Sequence, residues 1–337
     1  MTGWASHLAP AGIADGPEPL GTRLRAFHRW QAGRWPRLAR ALEALDRTET
    51  RDVQLGSRAV TLQWNPGRVA STTARVDEVS LRARPCFLCP DNLPVEEFGI
   101  PFGNGLLLLA NPAPIMPLHL VAAHRSHSPQ RLEPVLDDAI ALAAATEGQL
   151  TVFYNGPRCG ASAPDHIHLQ AVAAGLLPDE RRLVDGPGER TGRLLERTAD
   201  LEVWSERGSS RVLSVLRGSA DGLARGLRVA MAALDEAVGG QEEPPVNLLL
   251  SARGDRVTAL FYPRGAHRPR CYAAEGADRC LISPGALDMA GLVITVRRRD
   301  YDGVDGDRLA EIFAETSLAP AATGAYERIL ERRLADG

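Results

Sequence analysis

The pentapeptide His166-Ile-His-Leu-Gln170 combines residue types that carry out phosphoryl chemistry. The pattern predicts a strand over His166–Ala173. Because side chains two apart share one face of a strand, His166, His168 and Gln170 are expected to point the same way. A bare His-x-His is usually a solvated polar face, but here a loop of small residues precedes it and lets backbone N–H groups approach an anion. The small loop residues are Gly156, Gly160, Ala161 and Ser162.

This arrangement allows the two imidazoles to have different roles. Same-face neighbours lie ~6.6 Å apart along a strand, so one imidazole can ligate a metal while the other faces a substrate. A neutral imidazole is a nucleophile toward phosphorus, and a covalent intermediate divides one displacement into two steps. The amide of Gln170 would then donate to a non-bridging phosphate oxygen. In the same loop, Arg158 is either a phosphate clamp or an ordinary surface residue.

The pair Cys86-Phe-Leu-Cys89 predicts half of a metal site. Two thiolates at this separation are typical of tetrahedral zinc, and an odd total of five cysteines argues against disulfides. Two more ligands would complete the site, and the alternative is a pair of free core cysteines. The histidines on offer are His119, His124, His127 and His166.

The composition of the 337 residues narrows the partners. With 39 basic and 42 acidic residues, the net charge of −3 argues against a general nucleic-acid or membrane-surface binder. The sequence contains no lysine, so a bound phosphate must be held by arginine, backbone N–H groups or helix ends, and Schiff-base chemistry is excluded. No long apolar run and no signal peptide are visible, so we expect a cytoplasmic protein without a membrane span.

Hydrophobic periodicity places these motifs on an α+β chain that repeats itself. The order strand, strand, helix, strand, loop, strand occurs twice, which predicts a duplicated unit. The predicted strands are Val53–Leu55, Ala59–Trp64, Leu106–Ala110, His119–Ala123, Thr151–Tyr154, His166–Ala173, Leu201–Trp204, Val212–Leu216, Val246–Ser251 and Val257–Tyr262. The predicted helices cover Thr22–Leu45 (one or two helices), Pro129–Gly148, Ala220–Val238, Asp307–Thr316 and Ala321–Leu334.

Three stretches of the chain resemble one superfamily. Cys86-Phe-Leu-Cys-Pro-Asp-Asn92 resembles the zinc knuckle of galactose-1-phosphate uridylyltransferases. His166–Gln170 resembles the His-x-His-x-Gln signature of the transferase branch of the histidine-triad (HIT) superfamily, which includes diadenosine tetraphosphate phosphorylases and GDP-hexose phosphorylases. The runs Pro269–Glu275, Ser283–Gly291 and Arg299–Tyr301 are similar to the C-terminal part of the GDP-hexose phosphorylases.

The resemblance implies a fold and a set of roles. The fold would be two HIT-like units, each a mainly antiparallel sheet with packed helices. We expect an N-terminal helical extension at 1–50, a catalytic unit with the zinc knuckle at 51–175 and a second unit at 190–337, with a linker at about Leu176–Gly192. His168 becomes the nucleotidylated nucleophile and Gln170 the phosphate-stabilising amide. A structural Zn²⁺ would be held by Cys86, Cys89, His166 and His127, with His124 as the alternative fourth ligand.

The resemblance also implies contacts to nucleotide and phosphate. Together with the loop itself, the implied set is Asn65, Arg68, Asn111, Asn155, Gly156, Arg158, Gly160, Ala161 and Ser162. Two departures stand out. The spacing between Ser162 and His166 is one residue longer than in the uridylyltransferases, and the second half offers only His267 where a duplicated signature needs two histidines.

The resulting prediction is a nucleotidyltransferase or phosphorylase that works through a nucleotidyl-histidine. Its substrate would be a nucleotide sugar or a dinucleoside polyphosphate, and inorganic phosphate is favoured over a sugar phosphate as acceptor. The alternatives are a hexose-1-phosphate uridylyltransferase, a hydrolytic variant and, in another class, a catalytically silent nucleotide-binding sensor. Association into a homodimer is left open.

Overall fold

A computed structural model describes residues 3–185, 192–206, 210–240 and 243–336 of the chain. The described strands are β1 (Glu49–Leu55), β2 (Arg58–Trp64), β3 (Gly99–Phe102), β4 (Leu106–Ala110), β5 (Leu120–His124), β6 (Leu150–Asn155), β7 (His168–Ala173), β8 (Arg193–Arg197), β9 (Leu201–Glu206), β10 (Leu213–Gly218), β11 (Val246–Arg253), β12 (Arg256–Pro263) and β13 (Leu292–Thr295).

The described helices differ widely in length. They are α1 (Ala11–Ala14), α2 (Leu20–Arg34), α3 (Pro36–Leu45), α4 (Val69–Thr72), α5 (Glu78–Arg82), α6 (Leu136–Ala145), α7 (Pro178–Glu180), α8 (Ala220–Val238), α9 (Arg270–Ala273), α10 (Ala286–Met289), α11 (Arg298–Gly303), α12 (Gly306–Thr316) and α13 (Pro320–Ala335). Single 3₁₀ turns lie at Ala5–His7, Pro66–Arg68, Pro90–Asn92 and Glu133–Val135, and a π turn at Arg181–Asp185. Within the described ranges, each helix is too short or too polar to cross a bilayer.

One antiparallel sheet of ten strands runs through both halves of the chain, in the order β3-β4-β5-β7-β6-β11-β12-β10-β9-β8. The first half contributes β3-β4-β5-β7-β6, and the second half contributes the same pattern, β8-β9-β10-β12-β11, in mirror order. The two halves join where β6 pairs with β11, from Asn155 opposite Asn247 to Thr151 opposite Ser251. The expected α+β fold of two duplicated, mainly antiparallel units with packed helices is confirmed.

Helices α6 and α8 occupy equivalent places, each between the third and fourth strands of its half. Both pack on the same face of the sheet in one apolar cluster with residues such as Leu150 and Leu248. The predicted helix Ala220–Val238 is observed at those bounds, since Ser219 caps its first turn and Gly239 ends it at φ 64°. The predicted helix Pro129–Gly148 is shorter, because the stretch before Leu136 is a 3₁₀ turn containing Pro134.

A small sheet of β1, β2 and β13 covers part of the other face. The predicted β1–β2 hairpin is present, with Leu55 paired to Arg58 around the turn. Strand β13 runs parallel to β2, a long-range pairing that brings Leu292–Thr295 beside the beginning of the chain. The predicted linker at Leu176–Gly192 includes residues 186–191, which lie outside the described ranges, and the proposed domain boundaries remain predictions.

Candidate active site

His168, Gln170 and six of the nine predicted nucleotide and phosphate contacts line a cavity of about 590 Å³ on the open face of the ten-stranded sheet. Its floor is a row of cross-strand neighbours: Phe153 lies opposite Gln170, Gln170 opposite Val121, and Val121 opposite Leu109. All four residues line the cavity. Its wall adds the segment that carries α4 and α5, and the stretch Ser283–Asp288 from the second half.

At one side of this cavity, four side chains come together that can hold a metal. Ligand atoms of Cys86, Cys89, His127 and His166 all lie within 4.8 Å of one another. Sγ of Cys86 is 3.3 Å from Nδ1 of His166, and Sγ of Cys89 is 3.3 Å from Nδ1 of His127. Around a tetrahedral zinc, sulfur and nitrogen ligands stand about 3.5 Å apart, so this cluster fits Zn²⁺.

The surroundings of the cluster also suit a metal. Nε2 of His166 lies 2.6 Å from the backbone oxygen of His124, the type of contact that orients a metal-bound imidazole through its second nitrogen. His124 therefore contributes its carbonyl oxygen, while its own ring accepts from the backbone N–H of Ser126. His166 sits just before β7, whereas the sequence placed it inside the strand; its backbone carbonyl instead bonds the ring of His168.

His168 opens strand β7 and is 5% exposed. Its Nδ1 lies 2.9 Å from the carbonyl oxygen of His166, and because a carbonyl only accepts, Nδ1 carries the proton. The lone pair is therefore on Nε2 of a residue that lines the cavity. Burial lowers the pKa of His168 to about 4, which favours the neutral ring.

Gln170 is oriented by His119, which the sequence analysis had considered only as a metal ligand. The backbone N–H of Ile115 donates to Nδ1 of His119 (3.1 Å), so the proton of the neutral ring is on Nε2. That N–H donates to Oε1 of Gln170 (2.9 Å). Burial lowers the pKa of His119 to about 3, so the ring stays neutral. The side-chain oxygen of Gln170 is thus occupied, which leaves its NH₂ group to face the cavity.

Asn155, at the end of β6, is fixed by the second half of the chain. Its Oδ1 accepts from the Asn247 amide and from the backbone N–H of Ala286, both at 2.8 Å. Asn247 in turn bonds the guanidinium of Arg264, which is fully buried. The NH₂ group of Asn155 is left for the cavity that the residue lines. Sequence reasoning missed Asn247 and Arg264, because Asn247 comes beside Asn155 only through the β6–β11 register, and Arg264 reaches Asn247 only in the folded chain.

The loop between β6 and β7 approaches the second half closely. Gly160 has φ +95°, and a Cβ there would lie 2.9 Å from Cα of Gly285, so this position requires glycine. Gly160, Ala161 and Ser162 line the cavity. The carbonyl of Ser162 accepts from Arg84 (3.1 Å), which connects the loop to the segment preceding Cys86.

The remaining predicted contacts divide into two groups. Arg68 and Asn111 line the cavity, and burial lowers the pKa of Arg68 to about 10, so it remains a cation at neutral pH. Asn65, Gly156 and Arg158 are not part of the lining. The side-chain amide of Asn65 donates a hydrogen bond to the carbonyl of Pro114. The backbone N–H of Gly156 donates to the carbonyl of Val246, and the side chain of Arg158 is exposed.

Positive charge is concentrated around the cavity, and all of it comes from arginine. The lining arginines are Arg37, Arg68, Arg75, Arg84 and Arg268. Arg268 also ties the wall together, because its guanidinium donates to the carbonyl of Ala74 (3.1 Å) and stacks on Tyr272 at 4.2 Å. His267, the single histidine of the later signature region, lines the same cavity. The second half thus completes the wall of the site formed on the first half.

One family model matches part of the sequence. The profile of a domain of unknown function, DUF4922, matches residues 27–173, which is less than half of the chain and includes every predicted catalytic and metal-ligating residue. No curated protein matches the sequence.

Solved structures with the same architecture include yeast Ap4A phosphorylase Apa2. Its crystal structure has a TM-score of 0.61 and 15% identity, and the match covers 86% of this chain and 97% of that one. The complex of the same yeast enzyme with Ap4A has a TM-score of 0.60 and 16% identity, covering 88% of this chain and 97% of that one. The chain has the fold of this yeast phosphorylase. The fold implied by the sequence motifs is thereby confirmed.

Proposed function

We propose that this histidine-triad-like protein is a nucleotidyltransferase of the phosphorylase type, acting through a covalent nucleotide on His168. The observation that carries the proposal is the hydrogen-bonded tautomer of His168, whose unprotonated Nε2 belongs to a ring that lines the cavity. The fold shared with an Ap4A phosphorylase, solved in complexes with Ap4A and with AMP, favours a dinucleoside polyphosphate or a nucleotide sugar as substrate.

In the first step, Nε2 of His168 attacks the α-phosphorus of the substrate. A P–N bond forms, the bond from phosphorus to the bridging oxygen breaks, and the leaving group (a nucleoside polyphosphate from a dinucleoside polyphosphate, or a sugar phosphate from a nucleotide sugar) departs with the electron pair. The ring becomes positively charged in the adduct, and the hydrogen bond from Nδ1 to the His166 carbonyl stabilises that charge. In the second step, an oxygen of inorganic phosphate attacks the same phosphorus, and the P–N electrons return to Nε2.

The neighbouring side chains would stabilise the charge on the transferred phosphate. The NH₂ group of Gln170 is free because its oxygen is bound to His119, and that of Asn155 is free because its oxygen is bound to Asn247 and Ala286. Both residues are held before substrate arrives, so little reorganisation is needed in the transition state. Arg68 and Arg268 on the cavity wall add the positive charge that lysine supplies in other phosphate sites.

The metal cluster has a structural role in this proposal. Cys86, Cys89, His127 and His166 would hold Zn²⁺, which when bound supplies a rigid connection between the segment before β3 and the start of β7. The carbonyl of His166 that orients His168 belongs to one of these ligands. All proposed catalytic and metal residues lie within the unit we place at 51–175.

Mass spectrometry of the intact protein tests the proposal. The protein is incubated with dinucleoside polyphosphates and nucleotide sugars, without acceptor, and a mass increase of one nucleoside monophosphate is expected. Adding inorganic phosphate should remove the adduct and release a nucleoside diphosphate, whereas removal only by a hexose 1-phosphate would identify a uridylyltransferase-type acceptor. An adduct that forms equally on a His168→Ala variant would contradict the mechanism.

A further inference from the structure

One end of the cavity contains a buried carboxyl group that the chemistry proposed above does not use. Glu97 lies in the turn before β3, is 6% exposed and lines the same cavity as His168. Its backbone carbonyl accepts from Nδ1 of His7 (2.8 Å). Its carboxyl oxygens form neither a hydrogen bond nor an ion pair with any residue that the structure describes.

A buried carboxyl group without a partner is costly, so this one is expected to serve a ligand. Burial raises the pKa of Glu97 to about 8, and the positive charge of Arg37 opposes only part of that rise. The oxygens of Glu97 are not among the fully enclosed polar atoms that lack a partner, so they retain contact with the open space of the cavity. A ligand there would meet a hydrogen-bond acceptor that no side chain or backbone group of the described residues occupies.

The position of Glu97 relative to the floor of the cavity indicates which part of a nucleotide it would meet. From Gln170 the floor passes over the apolar side chains of Val121 and Leu109 to strand β3, which Glu97 precedes. Three strand spacings, about 14 Å, separate β7 from β3. A nucleotide with its phosphate at His168 would lay its sugar and flat base over this apolar stretch and present the far edge of the base to Glu97.

We propose that Glu97 accepts a hydrogen bond from the exocyclic amino group of the nucleobase, so that the site selects amino-bearing bases over uracil. The inference rests on the proposed function, since it takes a nucleotide held at His168 as the ligand. A carboxyl oxygen accepts such a bond in either protonation state. Uracil carries carbonyl oxygens where other bases carry amino groups, and two acceptors would then face each other across a dry contact.

Matched pairs of nucleotides test this inference by calorimetric binding. AMP is compared with purine riboside 5′-monophosphate, and GMP with inosine 5′-monophosphate, because each pair differs only by the amino group at one position of the base. Ribose 5-phosphate serves as the ligand without a base. The proteins are the native chain, Glu97→Leu, Glu97→Gln and, as an exposed control next in sequence, Glu96→Leu. Melting temperatures show whether each variant is folded.

The native protein and Glu96→Leu are expected to bind the amino-bearing member of at least one pair about tenfold more tightly. Glu97→Leu should bring that ratio to about one and leave ribose 5-phosphate unchanged, whereas Glu97→Gln should keep the ratio, because its amide oxygen still accepts. If Glu97→Leu retains the ratio, if it weakens ribose 5-phosphate equally, or if the native ratio is one, the inference is wrong. Failure of the native protein to bind any nucleotide would reject the proposed function as well.

Discussion

The two halves of the ten-stranded sheet share one strand order but differ in the loop that follows the fourth strand of each half. In the first half, residues 156–167 separate β6 from β7, and this loop reaches both the cavity and the metal cluster. In the second half, only Gly254 and Asp255 separate β11 from β12. A two-residue turn is too short to surround a phosphate with backbone N–H groups. The same strand order therefore supports such a loop in the first half only.

The same face of the sheet is also covered differently in the two halves. The row that forms the cavity floor at Phe153 continues into the second half through Leu249 and Leu260. There, α7 fills the space: Asp179 accepts from the hydroxyl of Tyr262 (2.8 Å), and Glu180 accepts from Ser251 (2.9 Å). Duplication therefore gives two similar sheets, of which one keeps an open floor and the other is covered by α7 with buried hydrogen bonds.

Replacing the proposed nucleophile is the most direct test of the difference between the two halves. His168→Ala should lower turnover by at least about 10³-fold and abolish the nucleotide adduct, because no second imidazole stands at that place on the strand. Steady-state kinetics and intact mass measure both effects. As the control, Thr258→Ala alters a buried polar residue of β12 in the second half and should retain the adduct. Equal loss in both variants would show that the loss does not depend on the imidazole of His168 and would contradict its assignment as nucleophile.

Replacing the amide should cost less. Gln170→Leu removes one donor to the phosphate and is expected to lower kcat by about 10²-fold. His119→Phe keeps the amide but leaves it free to rotate, so a loss of about tenfold, mainly in kcat, is expected. A His119→Phe defect as large as that of Gln170→Leu would mean that His119 does more than orient the amide.

The metal cluster is the next test. Cys86→Ser should lower the zinc content of the purified protein and reduce the free energy of unfolding by about 2 kcal/mol, since metal binding contributes directly to folding. Elemental analysis and thermal unfolding measure the two effects. Cys280→Ala, in the second half, should leave the zinc content unchanged, because Cys280 lies outside the cluster. A native protein purified without zinc and unable to take it up would contradict the site.

The smallest expected effects are the stability losses of two glycine variants, one in the turn of the second half and one in the loop of the first half. Gly254→Ala places a side chain at φ +60° in open space, which should cost about 1 kcal/mol of stability. Gly160→Ala adds a steric conflict with Gly285 to a similar backbone strain, so we expect about 1 kcal/mol more, together with reduced activity. Chemical denaturation measures both variants, and equal losses would indicate that the approach of the loop to Gly285 is loose.

Local pattern in the sequence was sufficient for most of the fold and for the proximity of the metal ligands. The helix Ala220–Val238 and eight of the ten strands of the large sheet follow from periodicity, and the proximity of the four proposed metal ligands follows from motif resemblance. The parallel strand β13 was not predicted, because its partner β2 lies more than 200 residues earlier and nothing local encodes that pairing. Strands β3 and β8 were also missed; in β3 the reason is local composition, since its four residues include Gly99 and Pro101.

Side-chain orientation was the part that sequence reasoning could not supply. Asn65 was a candidate for nucleotide contact, yet its amide bonds the carbonyl of Pro114 and lies outside the cavity lining. Conversely, His119 and Asn247 matter through the atoms that they occupy on Gln170 and Asn155. These hydrogen bonds depend on the cross-strand register and on which ring nitrogen carries a proton. Residue spacing in the sequence determines neither.

The join between β6 and β11 has a practical consequence for cutting the chain. All six residues of β6 are buried, and its outer edge is bonded to the second half along Thr151–Asn155. A fragment that stops near residue 175 would carry the predicted nucleophile and metal ligands but would expose an apolar strand with unsatisfied backbone groups, a template for self-association. We expect such a fragment to aggregate, and co-expression with residues 190–337 as a separate polypeptide to return it to solution.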